Sequence, residues 1–134
     1  VTTRTRKPRV LTLKDAFETE FARREMERRA REEAERRQQE ADLEGAQALH
    51  AAVTADPDFL AGRNLSADVR RYTVSVDHAN YRIAAYFEGG KASVTLSDKR
   101  GGAPGSGTPR KQETVESVED ALKVMAQFLA DEAR

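Results

Sequence analysis

The run from Glu20 to Glu44, EFARREMERRAREEAERRQQEADLE, is built almost wholly from Glu, Arg, Ala and Gln. It offers too little apolar surface for a packed core. That restricts the first third of the chain to a solvated helix or the outside of an assembly. Glu precedes Arg by four residues at Glu20–Arg24, Glu25–Arg29, Glu27–Arg31, Glu32–Arg36 and Glu33–Arg37. Each such pair stabilises a helix by about 0.3–0.5 kcal/mol, and by less in salt. Ala and Arg add good intrinsic propensity. Thr12 can cap the helix, with Asp15 three residues on completing a capping box. A helix from there to about Val53 would be on the order of 60 Å long.

A coiled coil is the competing arrangement for this run. Ala34, Ala41 and Ala48 recur every seven residues, but Arg37 and Glu44 fall between them, which makes a weak seam. At the start of the run, Leu13, Phe17 and Phe21 lie one turn apart and form the only sticky patch of the first half. These three are the candidate partner-binding residues.

Gly45 marks a candidate break, after which the pattern changes. Leu43, Ala46, Leu49 and Val53 fall near helical spacing and read as an amphipathic segment that packs on something. Asp56 as cap and Pro57 at the first position predict a single turn through Phe59 and Leu60, ended by Gly62.

Three strand-like runs follow. Val69–Val76 places Tyr72, Val74 and Val76 on one face. Asn80–Glu88 does so with Tyr81, Ile83, Ala85 and Phe87, and Lys91–Ser97 with Ala92, Val94 and Leu96. Asp77 to Asn80 is a turn, and Glu88-Gly89-Gly90-Lys91 is the strongest short hairpin signal in the chain. Gly101 to Pro109 reads as a flexible connector. Ser117, with Asp120 three residues on, opens a last helix. Its stripe of Val118, Ala121, Leu122, Met125, Phe128 and Leu129 would cover the sheet.

The expected fold is therefore α+β, in the order α-β-β-β-α: a long charged N-terminal helix, a three-stranded antiparallel sheet and a C-terminal helix packed on it. The expected division is a basic disordered tail at 1–11, a charged extended helix at 12–44, and a small α+β domain at 45–134 with a flexible Gly/Pro loop at 98–112. The core candidates are Leu49, Val53, Phe59, Leu60, Tyr72, Val74, Val76, Tyr81, Ile83, Phe87, Val94, Leu96, Leu122, Met125, Phe128 and Leu129.

Composition narrows the function classes. Hydrophobic residues make up 38% and charged residues 34%, so the part able to pack is only roughly 70–90 residues. The absence of cysteine excludes a disulfide framework, a thiol nucleophile and thiolate metal sites. It fits a cytoplasmic setting. No apolar stretch nears the ~18 residues of a membrane span. The N-terminal VTTRTRKPRVLTL is basic and lacks a signal peptide's apolar core.

Net charge is zero but unevenly placed. Residues 1–14 carry Arg4, Arg6, Lys7, Arg9 and Lys14 and no acid, while residues 113–134 are acidic. The basic tail, with Arg71, Arg82 and Tyr86 on the outward sheet face, supports an alternative as a nucleic-acid-binding protein. The same groups also suit a solvated terminus and an ordinary solvent-facing sheet.

Other chemistry finds little footing. Gly102 and Gly107 have the spacing of a phosphate loop, but Thr108 and Pro109 stand where Lys and Ser/Thr are required. His50 has no metal-binding partner one turn away, and His78 beside Asp77 reads as turn chemistry. Helix, three strands, helix is also the order of double-stranded-RNA-binding domains. Those domains open their last helix with Lys-Lys-x-Ala-Lys, whereas Ser117-Val118-Glu119-Asp120-Ala121 is acidic, so the resemblance stops at fold order. The expectation is a non-catalytic interaction, scaffold or adaptor protein without cofactor, metal or small-molecule ligand. Its charged helix would serve self-association, as in a homodimer, or capture of a protein partner.

Overall fold

The structure, a computed structural model, describes residues 10–99 and 110–133. The tail at 1–9 and the glycine-rich connector at 101–109 lie outside the described residues, as does Arg100. The elements in order are α1 (Leu13–Val53), α2 (Pro57–Gly62), β1 (Ser66–Arg70), β2 (Thr73–Asp77), β3 (Tyr81–Glu88), β4 (Lys91–Asp98), β5 (Lys111–Val115) and α3 (Val118–Glu132). The chain divides into two compact units, one reaching to Arg36 and the other starting at Arg37.

In the first unit, α1 starts where its cap predicts: Thr12 Oγ1 accepts the Asp15 N–H at 3.1 Å. Of the anticipated ion pairs, Glu20–Arg24 forms at 3.0 Å. Arg23 also reaches Glu20, and it reaches Glu27 at 2.5 Å. Arg28 bridges Glu25 at 2.9 Å and Glu32 at 2.6 Å. Arg23 and Arg28 thus each span two turns, tying the acid three residues before to the acid four residues after. Salt-bridged turns of this kind hold up a helix that has little apolar surface to bury.

The second unit is a five-stranded antiparallel meander in the order β1-β2-β3-β4-β5, with helices on one face. The sequence pattern yields only three of these strands. Its first run is in fact two: Arg71, at φ +48°, turns the chain between Arg70 and Thr73, which pair across the turn. The fifth strand, KQETV, pairs Val115 with Ala92 and Lys111 with Leu96. Both additions are edge strands of five residues. Edges cover little core, so they need no apolar alternation, and their charges discourage pairing with other chains.

Alternate residues of the central strands point inward. Val74, Val76, Tyr81, Ile83, Ala85, Phe87, Ala92, Val94 and Leu96 are buried, as are Ala121, Val124, Met125 and Phe128 of α3. The last turns of α1 join this core through Ala46 and Leu49, both fully buried. Two core expectations fail. Phe59 is 46% exposed and Leu122 is 36% exposed. The α3 stripe is rotated by part of a turn, so Val124 takes the inward position and Leu122 falls at the edge.

Gly45 is not a break, because α1 continues through it to Val53. Its missing side chain instead admits the Phe87 ring, which a Cβ there would meet at 3.0 Å. Caps and turns otherwise follow the sequence. Asp56 accepts the Phe59 N–H at 3.1 Å, and Ser117 accepts the Asp120 N–H at 3.0 Å. Gly89 and Gly90 adopt φ +60° and +80°, as a tight two-residue hairpin turn requires.

Candidate protein-binding surfaces

Three surfaces carry side chains beyond what the fold needs. The first is the stripe of Leu13, Phe17 and Phe21 in the first unit, which are 87%, 60% and 53% exposed. A spacing of four residues keeps them on one side of α1. The Phe17 and Phe21 rings stack with centroids 5.6 Å apart. Beside them, Glu20 accepts hydrogen bonds from Arg23 and then Arg24, which hold its carboxyl far below the usual range, at about 2.

The second surface is an apolar cleft of about 490 Å³ in the second unit. The end of α1 supplies Ala52 and Val53 to one wall and α2 supplies Phe59 and Leu60. Leu122, Ala126 and Leu129 of α3 form the other wall, and Val76 and Ile83 of the sheet are the floor. Asp56 and Arg63 are the charged groups on the lining. The sequence pattern puts Phe59 and Leu122 in the core, and so misses the cleft. The available signal is the lone turn at Asp56-Pro57, which offers too few apolar residues to close over α3.

The third surface is the sheet face turned away from the helices. Register places Asp77, Arg82 and Ser97 in one row across it, and Thr73, Tyr86, Ser93 and Thr114 in another. Arg82 Nε donates to Asp77 Oδ1 at 2.6 Å, and Lys99 Nζ lies 2.9 Å from the same oxygen. Partial burial pushes the Asp77 carboxyl up, but hydrogen bonds from Arg82 and Lys99 outweigh it and leave the group below its ordinary range. Arg70 stands 3.5 Å from Asp68, and Glu88 and Lys91 are opposite one another in the β3–β4 register. Bases on this face are thus interleaved with acids.

Of the alternative nucleic-acid residues, Arg82 and Tyr86 share this face and Arg71 sits in the β1–β2 turn. Arg4, Arg6, Lys7 and Arg9 lie outside the described residues. His78 does the work of a turn residue. Its Nδ1 accepts the Asn80 N–H at 3.1 Å and its ring stacks on Tyr81. Burial, and then the Glu132 carboxylate, raise the Tyr81 hydroxyl above its usual pKa. Among the described residues no group of His, Asp and Glu is placed to hold a metal ion, and no helix is long and apolar enough to cross a membrane. Compared with family models, curated proteins and solved structures, the chain matches none.

Proposed function

We propose that this chain is a non-catalytic interaction protein whose first unit binds a protein partner through Leu13, Phe17 and Phe21. The observation that carries this reading is three large apolar side chains in register along one line of a helix whose exposed surface is mostly Glu and Arg, many of them ion-paired; Met26, also exposed, lies off that line. Nothing in the helix itself requires them, since its turns are held by caps and salt bridges. Anchors at i, i+4 and i+8 are the pattern by which an amphipathic helix lays itself into an apolar groove. Large apolar groups left in water on a polar element are a feature of binding surfaces.

The nucleic-acid reading draws less support. Arg82 and Arg70 on the sheet face each lie within ion-pair distance of an acid, which leaves them less available for phosphate. Replacing Phe17 and Phe21 together by Ala tests the proposal. Association with protein, the chain's own copies included, is expected to weaken at least tenfold while circular dichroism keeps its helical signal. Unchanged association would overturn the reading.

A further inference from the structure

We propose that β5 is a strap, fastened at its start by charge and hinged at its end by apolar packing, which rising ionic strength opens. Its sequence, KQETV, divides these two tasks. Val115 is the one apolar residue of the strand and packs against the core. Gln112, Glu113 and Thr114 are exposed and bury little. Beyond its backbone pairing with β4, the start of the strand is held by ion pairs.

Those ion pairs converge on the end of α3. Arg110, just before β5, bridges Glu132 of α3 and Asp98 of β4, the latter at 3.7 Å. Lys111 Nζ lies 2.7 Å from Asp131 Oδ2 and 5.8 Å from the centre of the Phe128 ring. Acids suit this place poorly for the sake of the helix alone. The macrodipole leaves partial negative charge at a helix C-terminus and favours cations there. The last turn of α3 holds no base of its own. Asp131 and Glu132 are therefore unfavourable for α3 by itself and become favourable with Arg110 and Lys111 beside them. The two elements hold each other.

Salt separates the two ends of the strap. The paired groups stand partly in water, so dissolved ions reach them. At 1 M salt the screening length is only about 3 Å, which weakens such pairs. The apolar contact at Val115 is not screened. Raised salt thus loosens Arg110 and Lys111 while Val115 stays in place. Opening leaves β4 as the sheet edge beside Leu96, the residue opposite Lys111.

Amide hydrogen exchange on the full chain tests this. The Arg110 N–H donates to the Leu96 carbonyl at 2.8 Å and reports the fastened end. The Phe87 N–H donates to the Tyr72 carbonyl at 2.9 Å and reports the rest of the sheet. Between about 0.05 M and about 1 M NaCl, protection at Arg110 is expected to fall at least about threefold while that at Phe87 holds. The Asp131→Asn/Glu132→Gln variant is expected to show that loss already at low salt and to keep little further response to salt. Its α3 amides should keep or gain protection, since the acids at the C-terminal end of the helix are gone. Equal Arg110 protection at both salt levels overturns the inference. So does a parallel loss at Arg110 and Phe87, which would mean that the sheet weakens as a whole. A double variant with wild-type protection at Arg110 overturns it too.

Discussion

Asp42, on α1, accepts the backbone N–H of Gly90, in the β3–β4 turn, at 2.9 Å, and its other carboxylate oxygen accepts the Gly89 N–H at the same distance. The two successive glycines at positive φ turn their N–H groups to one side and form a small anion-binding nest. A buried helix carboxylate fills that nest, and Gln38 Nε2 donates to it from one turn earlier at 3.1 Å. The contact joins residues 47 and 48 positions apart and sets where α1 meets the sheet.

Asp42→Ala should therefore cost about 2–3 kcal/mol, because two charge-assisted hydrogen bonds vanish and their donors lose a partner. Asp42→Asn keeps the shape but turns an N–H₂ group towards a backbone donor, and it should recover less than half of the loss. Urea unfolding of the three proteins checks both values. A loss below about 0.5 kcal/mol for Ala would mean that water serves the turn equally well.

Two glycine-to-alanine changes should move stability in opposite directions. Both gain helix propensity, by up to about 1 kcal/mol. At Gly62 an added Cβ meets nothing within 4 Å, so Gly62→Ala should be neutral to slightly stabilising. At Gly45 it meets the Phe87 ring at 3.0 Å, and overpacking of this kind costs about 1–3 kcal/mol. Gly45→Ala should thus lower the melting temperature despite the better helix former. Adding Phe87→Leu to it should recover part of the loss.

The first unit should respond to acid through Glu20. Its folded pKa of about 2 lies below the unfolded carboxylate value near 4. Helix support from this group is complete above that unfolded value and disappears as the pH falls through about 2. Carboxyl titration followed by NMR should place the Glu20 midpoint well below the ordinary carboxylate range, at about 2. Arg23→Gln should move it up further than Arg24→Gln does, since the Arg23 hydrogen bond is the larger cause.

Asp77 gives the second unit a similar dependence. Folding lowers its pKa, so its contribution is full above about pH 4 and fades as the pH drops through the folded value. Arg82→Gln or Lys99→Gln should shrink the difference in stability between pH 7 and pH 2.5. The shift should be under about 1 kcal/mol, because the partners are half in water. Denaturant midpoints at the two pH values measure it. Equal differences in wild type and both variants would show that Asp77 is not coupled to these bases.

The elements legible in the sequence are those with local chemistry. Thr12, Asp56 and Ser117 announce helix starts because capping uses side chains within three residues of each other. Gly89-Gly90 announces the central hairpin because few other pairs reach its backbone angles. The edge strands were hidden because SADVR and KQETV have little to bury. Gly45 misleads for a related reason. A glycine that ends a helix and one that admits a distant ring look alike until Phe87, 42 residues away, is placed against it. Of the candidate surfaces, the Phe17–Phe21 stripe can be read from spacing alone. The cleft cannot, since it depends on how far α2 falls short of covering α3.

The most direct test of the interaction reading puts a photo-cross-linking phenylalanine derivative at position 17 of the full chain, with the same group at Arg31 as a control. A stripe that binds protein should give protein adducts from position 17, few from position 31, and fewer from position 17 when Phe21 is replaced by Ala. Equal yields from the two positions, or adducts to nucleic acid alone, would contradict it.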